Sequence, residues 1–88
     1  MTEVQLKVEN KMGIHARPAS LFVQKAKSFQ SKIQLAFNGK SVDAKSSLAV
    51  MTLGAKNGAE VTITADGPDE AEAIAGIKEL IESRFGEE

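Results

Sequence analysis

Hydrophobic and polar residues alternate along three stretches of the chain, which is the pattern of strands that bury one face. The second stretch runs directly into Asn38-Gly39, a pair typical of a two-residue hairpin turn. Residues 40–44 are therefore predicted to return as a short strand at the sheet edge, with Val42 facing inward. The inward positions of the three alternating stretches are Val4, Leu6 and Val8, then Ile33, Leu35 and Phe37, then Val61, Ile63 and Ala65.

Between the first two strands the hydrophobic spacing changes to three and four residues, which predicts a helix. We expect this helix to begin near His15 or Ala16 and to end near Ser28. Pro18 then falls in the first turn, where its missing N–H costs nothing. Residues 10–14 break the strand pattern and are predicted to form a loop. The buried face of the helix is formed by Ala19, Phe22, Val23 and Ala26.

Two further helices are predicted in the second half of the chain. Ser46 is expected to be the N-cap of a helix of about two turns, which Gly54 closes. Asn57-Gly58 predicts a turn before the last strand. Gly67-Pro68-Asp69-Glu70 predicts the start of the last helix, with the proline and then acidic residues in its first turn. That helix is expected to keep its buried face almost to the chain end, before residues 86–88 fray, through Ile74, Ile77, Ile81 and Phe85.

The predicted order is β-α-β-β-α-β-α. Strands with one apolar face, and helices able to cover it, favour an α+β open-faced β-sandwich with a largely antiparallel sheet. We expect residues 1–88 to form a single domain, because the chain is short and shows no linker or repeat.

Composition narrows the possible functions. Eleven basic against twelve acidic residues give a net charge of -1, which argues against binding to a nucleic-acid backbone. The chain has no cysteine, so disulfides, thiol redox chemistry and cysteine-based zinc sites are excluded. The polar amino terminus and the short apolar stretches predict a cytoplasmic protein with no signal peptide and no membrane insertion. No bound metal or cofactor is indicated.

The single histidine stands where the first helix is predicted to begin. The backbone amides of Ala16 and Arg17 have no intrahelical acceptor there, so they can bind an anion. The positive helix end disfavours an imidazolium, so we expect the pKa of His15 to be lowered and its ring to be neutral and nucleophilic at pH 7. Arg17 can reach phosphoryl oxygens, and Gly13 permits a backbone turn that could expose the ring. This favours a histidine that carries a phosphoryl group; an ordinary surface or capping histidine is the alternative.

Two segments resemble one known family. Gly13-Ile14-His15-Ala16-Arg17-Pro18-Ala19 resembles the phosphorylation-site signature of HPr, the histidine-containing phosphocarrier of the bacterial phosphoenolpyruvate-dependent sugar phosphotransferase system. Lys45-Ser46-Ser47-Leu48-Ala49-Val50-Met51-Thr52-Leu53-Gly54 resembles the regulatory-serine region of that family. The chain length, the hairpin and the element order agree as well, so the resemblance extends over essentially the whole chain.

The resemblance implies a fold of three helices over a four-stranded antiparallel sheet, and a carrier role. His15 would accept a phosphoryl group on Nδ1 from Enzyme I, itself phosphorylated by phosphoenolpyruvate, and would pass it to the IIA domain of a sugar permease. Arg17 would neutralise phosphate charge during transfer. Such a protein is a substrate in a relay rather than an enzyme. Because it shows one face to different partners in turn, we expect a monomer.

Ser46 has two interpretations. As an N-cap, its hydroxyl would satisfy a backbone donor of the short helix. The resemblance to Gram-positive-type members also implies that HPr kinase/phosphorylase phosphorylates Ser46 with ATP, and that the product repels Enzyme I and acts as a corepressor for catabolite control protein A. Ser47 departs from the family, whose members usually carry Ile or Leu there. We expect this change to weaken the binding of Enzyme I or IIA domains by about 1 kcal/mol. It also places a second hydroxyl beside Ser46, which we still expect the kinase to prefer.

The resemblance further implies an apolar surface on which partners dock. Leu48 and Met51 lie on one face of the short helix and could both be core residues, as we expect of Val50 and Leu53. We instead expect Leu48 and Met51 to be partly exposed, since the partners of the family dock on apolar side chains here. The rest of the surface is predicted to come from the outer face of the first helix, through Ser20, Gln24 and Lys27.

Three other classes of function are alternatives to the sugar phosphocarrier. A regulatory adapter would resemble the HPr paralogue that keeps the serine but lacks the histidine, and the presence of His15 and Arg17 argues against it. A carrier in a nitrogen-related relay usually lacks the kinase site. Lys45-Ser46 resembles that site and therefore argues against this class. An unrelated enzyme such as a small phosphatase would need a base, metal ligands or an anchored nucleophile, and the sequence shows no such cluster.

Overall fold

The structure is a computed structural model that describes residues 1–9, 13, 14 and 16–86. Its elements follow one another in the predicted β-α-β-β-α-β-α order, with a short 3-10 turn added at the end. The elements are β1 (Thr2–Lys7), α1 (Ala16–Lys27), β2 (Lys32–Phe37), β3 (Lys40–Asp43), α2 (Ser47–Leu53), β4 (Glu60–Asp66), α3 (Glu70–Glu82) and the 3-10 turn (Arg84–Gly86).

The strands form one antiparallel sheet in the order β1-β4-β2-β3. Ile63 at the centre of β4 lies opposite Val4 on one side and Leu35 on the other, and Leu35 in turn lies opposite Val42. Cross-strand partners point to the same face, so these four side chains form one apolar row. With α1, α2 and α3, this sheet makes the open-faced α+β sandwich that the sequence predicts, and β3 lies at its edge.

The core follows the two periodicities of the sequence. The predicted inward residues of α1 are all buried, and those of β4 have no exposed surface at all. Thr62 and Thr64, which alternate with them, are only half-buried. The fully enclosed large side chains come from strands and helices alike, which places the core between the sheet and the helices; they include Phe22, Ile33, Leu35, Ile63, Ile77 and Ile81.

The hairpin between β2 and β3 is confirmed. Asn38 and Gly39 have φ angles of 54° and 82°. Positive φ at both central residues is what a type I′ turn requires, and its twist matches that of the two strands it joins. The returning strand ends at Asp43, one residue earlier than predicted, although the amide of the next residue, Ala44, still donates to the carbonyl of Ile33 in β2 at 3.0 Å.

The start of α3 differs from the prediction. Pro68 and Asp69 precede the first turn, whose acidic residues are Glu70 and Glu72. Asp69 is the N-cap residue, but its side chain makes no capping bond. Its carboxylate instead accepts hydrogen bonds from the amides of Gln30 and Ser31, at 2.8 and 2.9 Å, and from the Ser31 hydroxyl. The residue therefore fastens the turn after α1 to the beginning of α3.

The end of α3 also differs from the prediction. We expected Phe85 to continue the buried face of the helix, but α3 ends at Glu82. Arg84 and Phe85 have φ angles of 58° and 55°, so the chain turns left-handed there. Phe85 is nevertheless buried, because that turn carries its ring back against the core.

Candidate functional site

The start of α1 carries the predicted phosphoryl-binding groups. The helix begins at Ala16, so Pro18 does fall in its first turn. Ala16 and Arg17 are both exposed, and amides in a first turn lack acceptors within their own helix. His15, the predicted phosphoryl acceptor, lies outside the described residues. The described part of this site is therefore an exposed helix start with a guanidinium group on its second residue.

The segment before this helix is fixed by contacts that the sequence did not reveal. Gly13 and Ile14 are both buried. The amide of Ile14 donates to the carbonyl of Ala55 at 2.9 Å, and Gly13 lies against the backbone of Lys56. The sequence singled out Gly13 for its backbone freedom, but nothing in the spacing connected it to the segment after α2.

Helix α2 has the caps that the sequence predicts. Ser46 is its N-cap, and the Ser46 hydroxyl accepts a hydrogen bond from the amide of Ala49 at 3.4 Å. Gly54 closes the helix with φ 76°, and its amide donates to the carbonyl of Met51 at 3.3 Å. Ser46 is half-buried, whereas Ser47 beside it is exposed. Two hydroxyls thus stand next to each other with different accessibility.

The residues before Ser46 are held in place on both sides. The carboxylate of Asp43 accepts the amide of Lys45 at 2.9 Å, and the carbonyl of Asp43 accepts the amide of Ser46 at 3.1 Å. The Lys45 ammonium donates to the carbonyl of Phe29 at 3.0 Å, just beyond α1. Sequence reasoning missed this tether, because a lysine before a helix is usually a solvated side chain.

The predicted docking surface is exposed. Leu48 exposes 69% of its surface and Met51 38%, while Val50 exposes none and Leu53 only 8%. This confirms the predicted split between exposed and core residues of α2. The polar positions assigned to the same surface are all exposed as well, and α1 and α2 are in contact; these positions are Ser20, Gln24, Lys27 and Ser47. We call these six residues the docking surface.

Two depressions on the described surface lie to one side of this docking surface, and Gln24 lines one of them. They adjoin one another between α1 and α3, with volumes of about 140 and 360 Å³, and share Lys25 and Leu80 in their walls. Neither is lined by Arg17 or Ser46. Among residues 1–9, 13, 14 and 16–86, no group of three acidic, histidine or cysteine side chains could hold a metal ion. No helix within that part of the chain is long and apolar enough to cross a membrane.

Comparison with known proteins defines the class. Residues 2–83 match the family described as the HPr component phosphorylation site of the phosphotransferase system. The chain therefore belongs to the HPr family, the phosphocarriers of that system.

Solved structures agree with this assignment. HPr-C-His from Thermoanaerobacter tengcongensis is 50% identical over 100% of this chain and 99% of its own, with a TM-score of 0.96. HPr from Bacillus anthracis str. Ames is 38% identical over 91% of this chain and 95% of its own, with a TM-score of 0.87. Crh, a catabolite repression protein from Bacillus subtilis, is 40% identical over 96% of this chain and 97% of its own, with a TM-score of 0.76, and is described as a dimer with a swapped domain.

Proposed function

We propose that this chain carries a phosphoryl group on His15, which it accepts from phospho-Enzyme I and donates to the IIA domains of sugar permeases. The observation that carries the proposal is the match of residues 2–83 to a family defined by its phosphorylation site, in a chain that contains a single histidine. Each transfer exchanges one bond for another. The lone pair of Nδ1 forms the new N–P bond as the bond between phosphorus and the donor atom of Enzyme I breaks, and the donor atom keeps the electrons of that bond. In the second transfer, a nucleophile of the IIA domain forms a bond to phosphorus as the N–P bond breaks and its electrons return to Nδ1.

The exposed start of α1 suits such an exchange. A carrier has to let a donor protein and then an acceptor protein approach the same atom in line, and a deep pocket would obstruct both approaches. Arg17 is exposed on the second residue of α1, so its guanidinium can pair with phosphoryl oxygens without displacing packed side chains. In this proposal the partners supply most of the transition-state stabilisation, and the carrier is a substrate of the relay, not an enzyme.

A transfer assay tests this function. The protein is incubated with Enzyme I and phosphoenolpyruvate, and the phosphoryl group it gains should be labile in acid and stable in alkali. His15→Ala should gain none. Arg17→Ala should still be labelled, at a rate lowered by about tenfold or more, whereas Lys40→Ala, an exposed cation in β3, should keep the normal rate. Labelling of His15→Ala at the normal level would refute the proposal.

We further propose that Ser46 is a regulatory phosphorylation site for HPr kinase/phosphorylase. A phosphate there would add about two negative charges beside Leu48 and Ser47, which belong to the docking surface, and would repel an acidic partner without changing the fold. The phosphorylated form would be the corepressor for catabolite control protein A.

The pair of serines provides the control for this second proposal. Incubation with the kinase and ATP should label the wild type and Ser47→Ala but not Ser46→Ala. Labelling of Ser46→Ala to the same extent as the wild type would refute the assignment to Ser46. The exposed hydroxyl of Ser47 would then be the next candidate.

The alternative is a corepressor without carrier activity, and the 40% identity to Crh is the observation that favours it. His15 and Arg17 favour the carrier, and the transfer assay separates the two.

We also propose that the chain acts as one domain and as a monomer, since a dimer formed through the docking surface would block the relay. Light scattering of the purified protein tests this, and a stable dimer that still transfers phosphoryl groups would contradict it.

A further inference from the structure

The connection between α2 and β4 supports the chain on both sides of residues 10–12. Before these residues, Val8 exchanges backbone hydrogen bonds with residues 58 and 59, and the Asn57 side chain donates to the carbonyl of Glu9. After these residues, Ile14 is bonded to Ala55. The bonds are Val8 N to Ala59 O at 2.8 Å, Gly58 N to Val8 O at 2.7 Å, Asn57 Nδ2 to Glu9 O at 3.0 Å and Ile14 N to Ala55 O at 2.9 Å.

Gly13 makes the closest of these approaches. A Cβ atom on Gly13 would lie 2.6 Å from the carbonyl oxygen of Ala55 and 2.6 Å from the Cα of Lys56. Both are backbone atoms, so neither can move aside as the tip of a flexible side chain could. The φ angle of Gly13 is also +69°, in the left-handed region that glycine adopts most easily. Any side chain here would therefore push the chain away from its support.

We infer that Gly13 is a positioning residue for phosphoryl transfer: by lacking a side chain, it lets the segment that leads to His15 rest directly on the backbone of residues 55 and 56. The inference rests on the proposed function, in which His15 is the acceptor. Ile14, which is buried and follows Gly13, fixes the same segment to the core. His15 is the next residue along the chain, so a displacement at Gly13 is passed to the acceptor through two peptide bonds.

The expected effect is kinetic. In-line transfer needs the attacking atom within about 3–3.5 Å of phosphorus, and a misplacement of about 1 Å can cost about 100-fold in rate. The three atoms nearest to a Cβ atom on Gly13 belong to residues 55 and 56, which are not part of the docking surface. The kcat of Enzyme I with this protein as its substrate should therefore fall, while the KM of Enzyme I for the protein stays nearly constant.

Gly39 provides the matched control. Its φ angle of +82° is as left-handed as that of Gly13, but a Cβ atom there would meet nothing within 4 Å. Gly13→Ala and Gly39→Ala thus carry a similar intrinsic backbone cost, and only the first creates a clash. With Enzyme I and phosphoenolpyruvate, Gly13→Ala is expected to lose about tenfold or more in kcat, and Gly39→Ala less than twofold.

A second variant keeps the inference testable if Gly13→Ala fails to fold, which urea unfolding would show. Asn57→Asp changes an exposed side chain and removes the amide donor to Glu9 without a steric clash. It should remain folded and lose kcat by about threefold or more with little change in KM. Normal kcat in folded Gly13→Ala overturns the inference. If only Asn57→Asp folds, normal kcat in that variant shows that the connection between α2 and β4 does not position the chain before His15, and this overturns the inference as well.

His15→Ala in the same assay separates this inference from the proposed function. If His15→Ala is labelled, the proposed function fails, and the positioning role fails with it. If His15→Ala is not labelled and Gly13→Ala is as fast as Gly39→Ala, the proposed function stands and only the positioning role is wrong.

Discussion

Leu48 and Val50 lie in the same short helix and should separate partner binding from stability. Leu48 exposes 69% of its surface and Val50 none. Complete burial of a leucine side chain is worth about 1.5–3 kcal/mol. A partner that covers the exposed part of Leu48 therefore gains about 1–2 kcal/mol, and Leu48→Ala should weaken its binding by about 5- to 30-fold.

The expected effects on folding are the reverse. Leu48 has little buried surface to lose, so Leu48→Ala should lower the free energy of unfolding by no more than about 1 kcal/mol. Val50→Ala removes two fully buried methyl groups and should cost about 2 kcal/mol or more. Because Val50 does not reach the surface, binding of Enzyme I by the folded fraction should be unchanged.

Titration calorimetry with Enzyme I measures the binding, and urea unfolding measures the stability. We expect each substitution to affect mainly one of the two quantities. Binding of Enzyme I by Leu48→Ala as tightly as by the wild type, or a larger loss of stability in Leu48→Ala than in Val50→Ala, would refute this separation.

Two further predictions concern stability and are read by urea unfolding. The hydroxyl of Ser31 and the amide of Gln30 lower the pKa of Asp69 below its ordinary value of 3.8. The ionised carboxylate therefore stabilises the fold above pH 3.8. This contribution is lost as the pH falls from 3.8 towards the lowered pKa. Asp69→Asn should accordingly lose less stability than the wild type over that acid range, and an identical acid dependence would contradict the assignment. Ser46→Ala removes the acceptor of the Ala49 amide and should lower the free energy of unfolding by about 0.5–1 kcal/mol. This is the low end for an N-cap because the hydrogen bond is 3.4 Å long. A variant as stable as the wild type, or more stable, would show that the cap contributes nothing.

The periodicity of the sequence predicted the elements well because local and tertiary preferences agree in them. The hydrophobic stripe of α1 and the alternation in β4 each determine which face of the element is buried. At Asn38-Gly39 the turn type follows from the φ angles that these two residues tolerate. The caps of α2 at Ser46 and Gly54 were predictable for the same reason, since the side chain and the backbone act within a few residues.

The errors arose where a distant contact decided the structure. Phe85 has the spacing of a helical residue, but Arg84 and Phe85 take positive φ angles, which neither residue type signals. The sequence places Asp69 in the first turn of the last helix, but Asp69 stands before that turn, and its carboxylate accepts hydrogen bonds from Ser31, far away in the sequence. The support of Gly13 by the segment after α2 was likewise invisible, because one chain alone does not show which backbone approaches a glycine.

The central claim is that the imidazole of His15 carries the phosphoryl group. The most direct measurement is NMR of the isotopically labelled protein, recorded before and after incubation with Enzyme I and phosphoenolpyruvate. We expect a single phosphoramidate, with the nitrogen resonances of His15 identifying Nδ1 as the substituted atom. A phosphoryl group on any other residue, or no modification of the His15 ring while the protein gains phosphate, would contradict it.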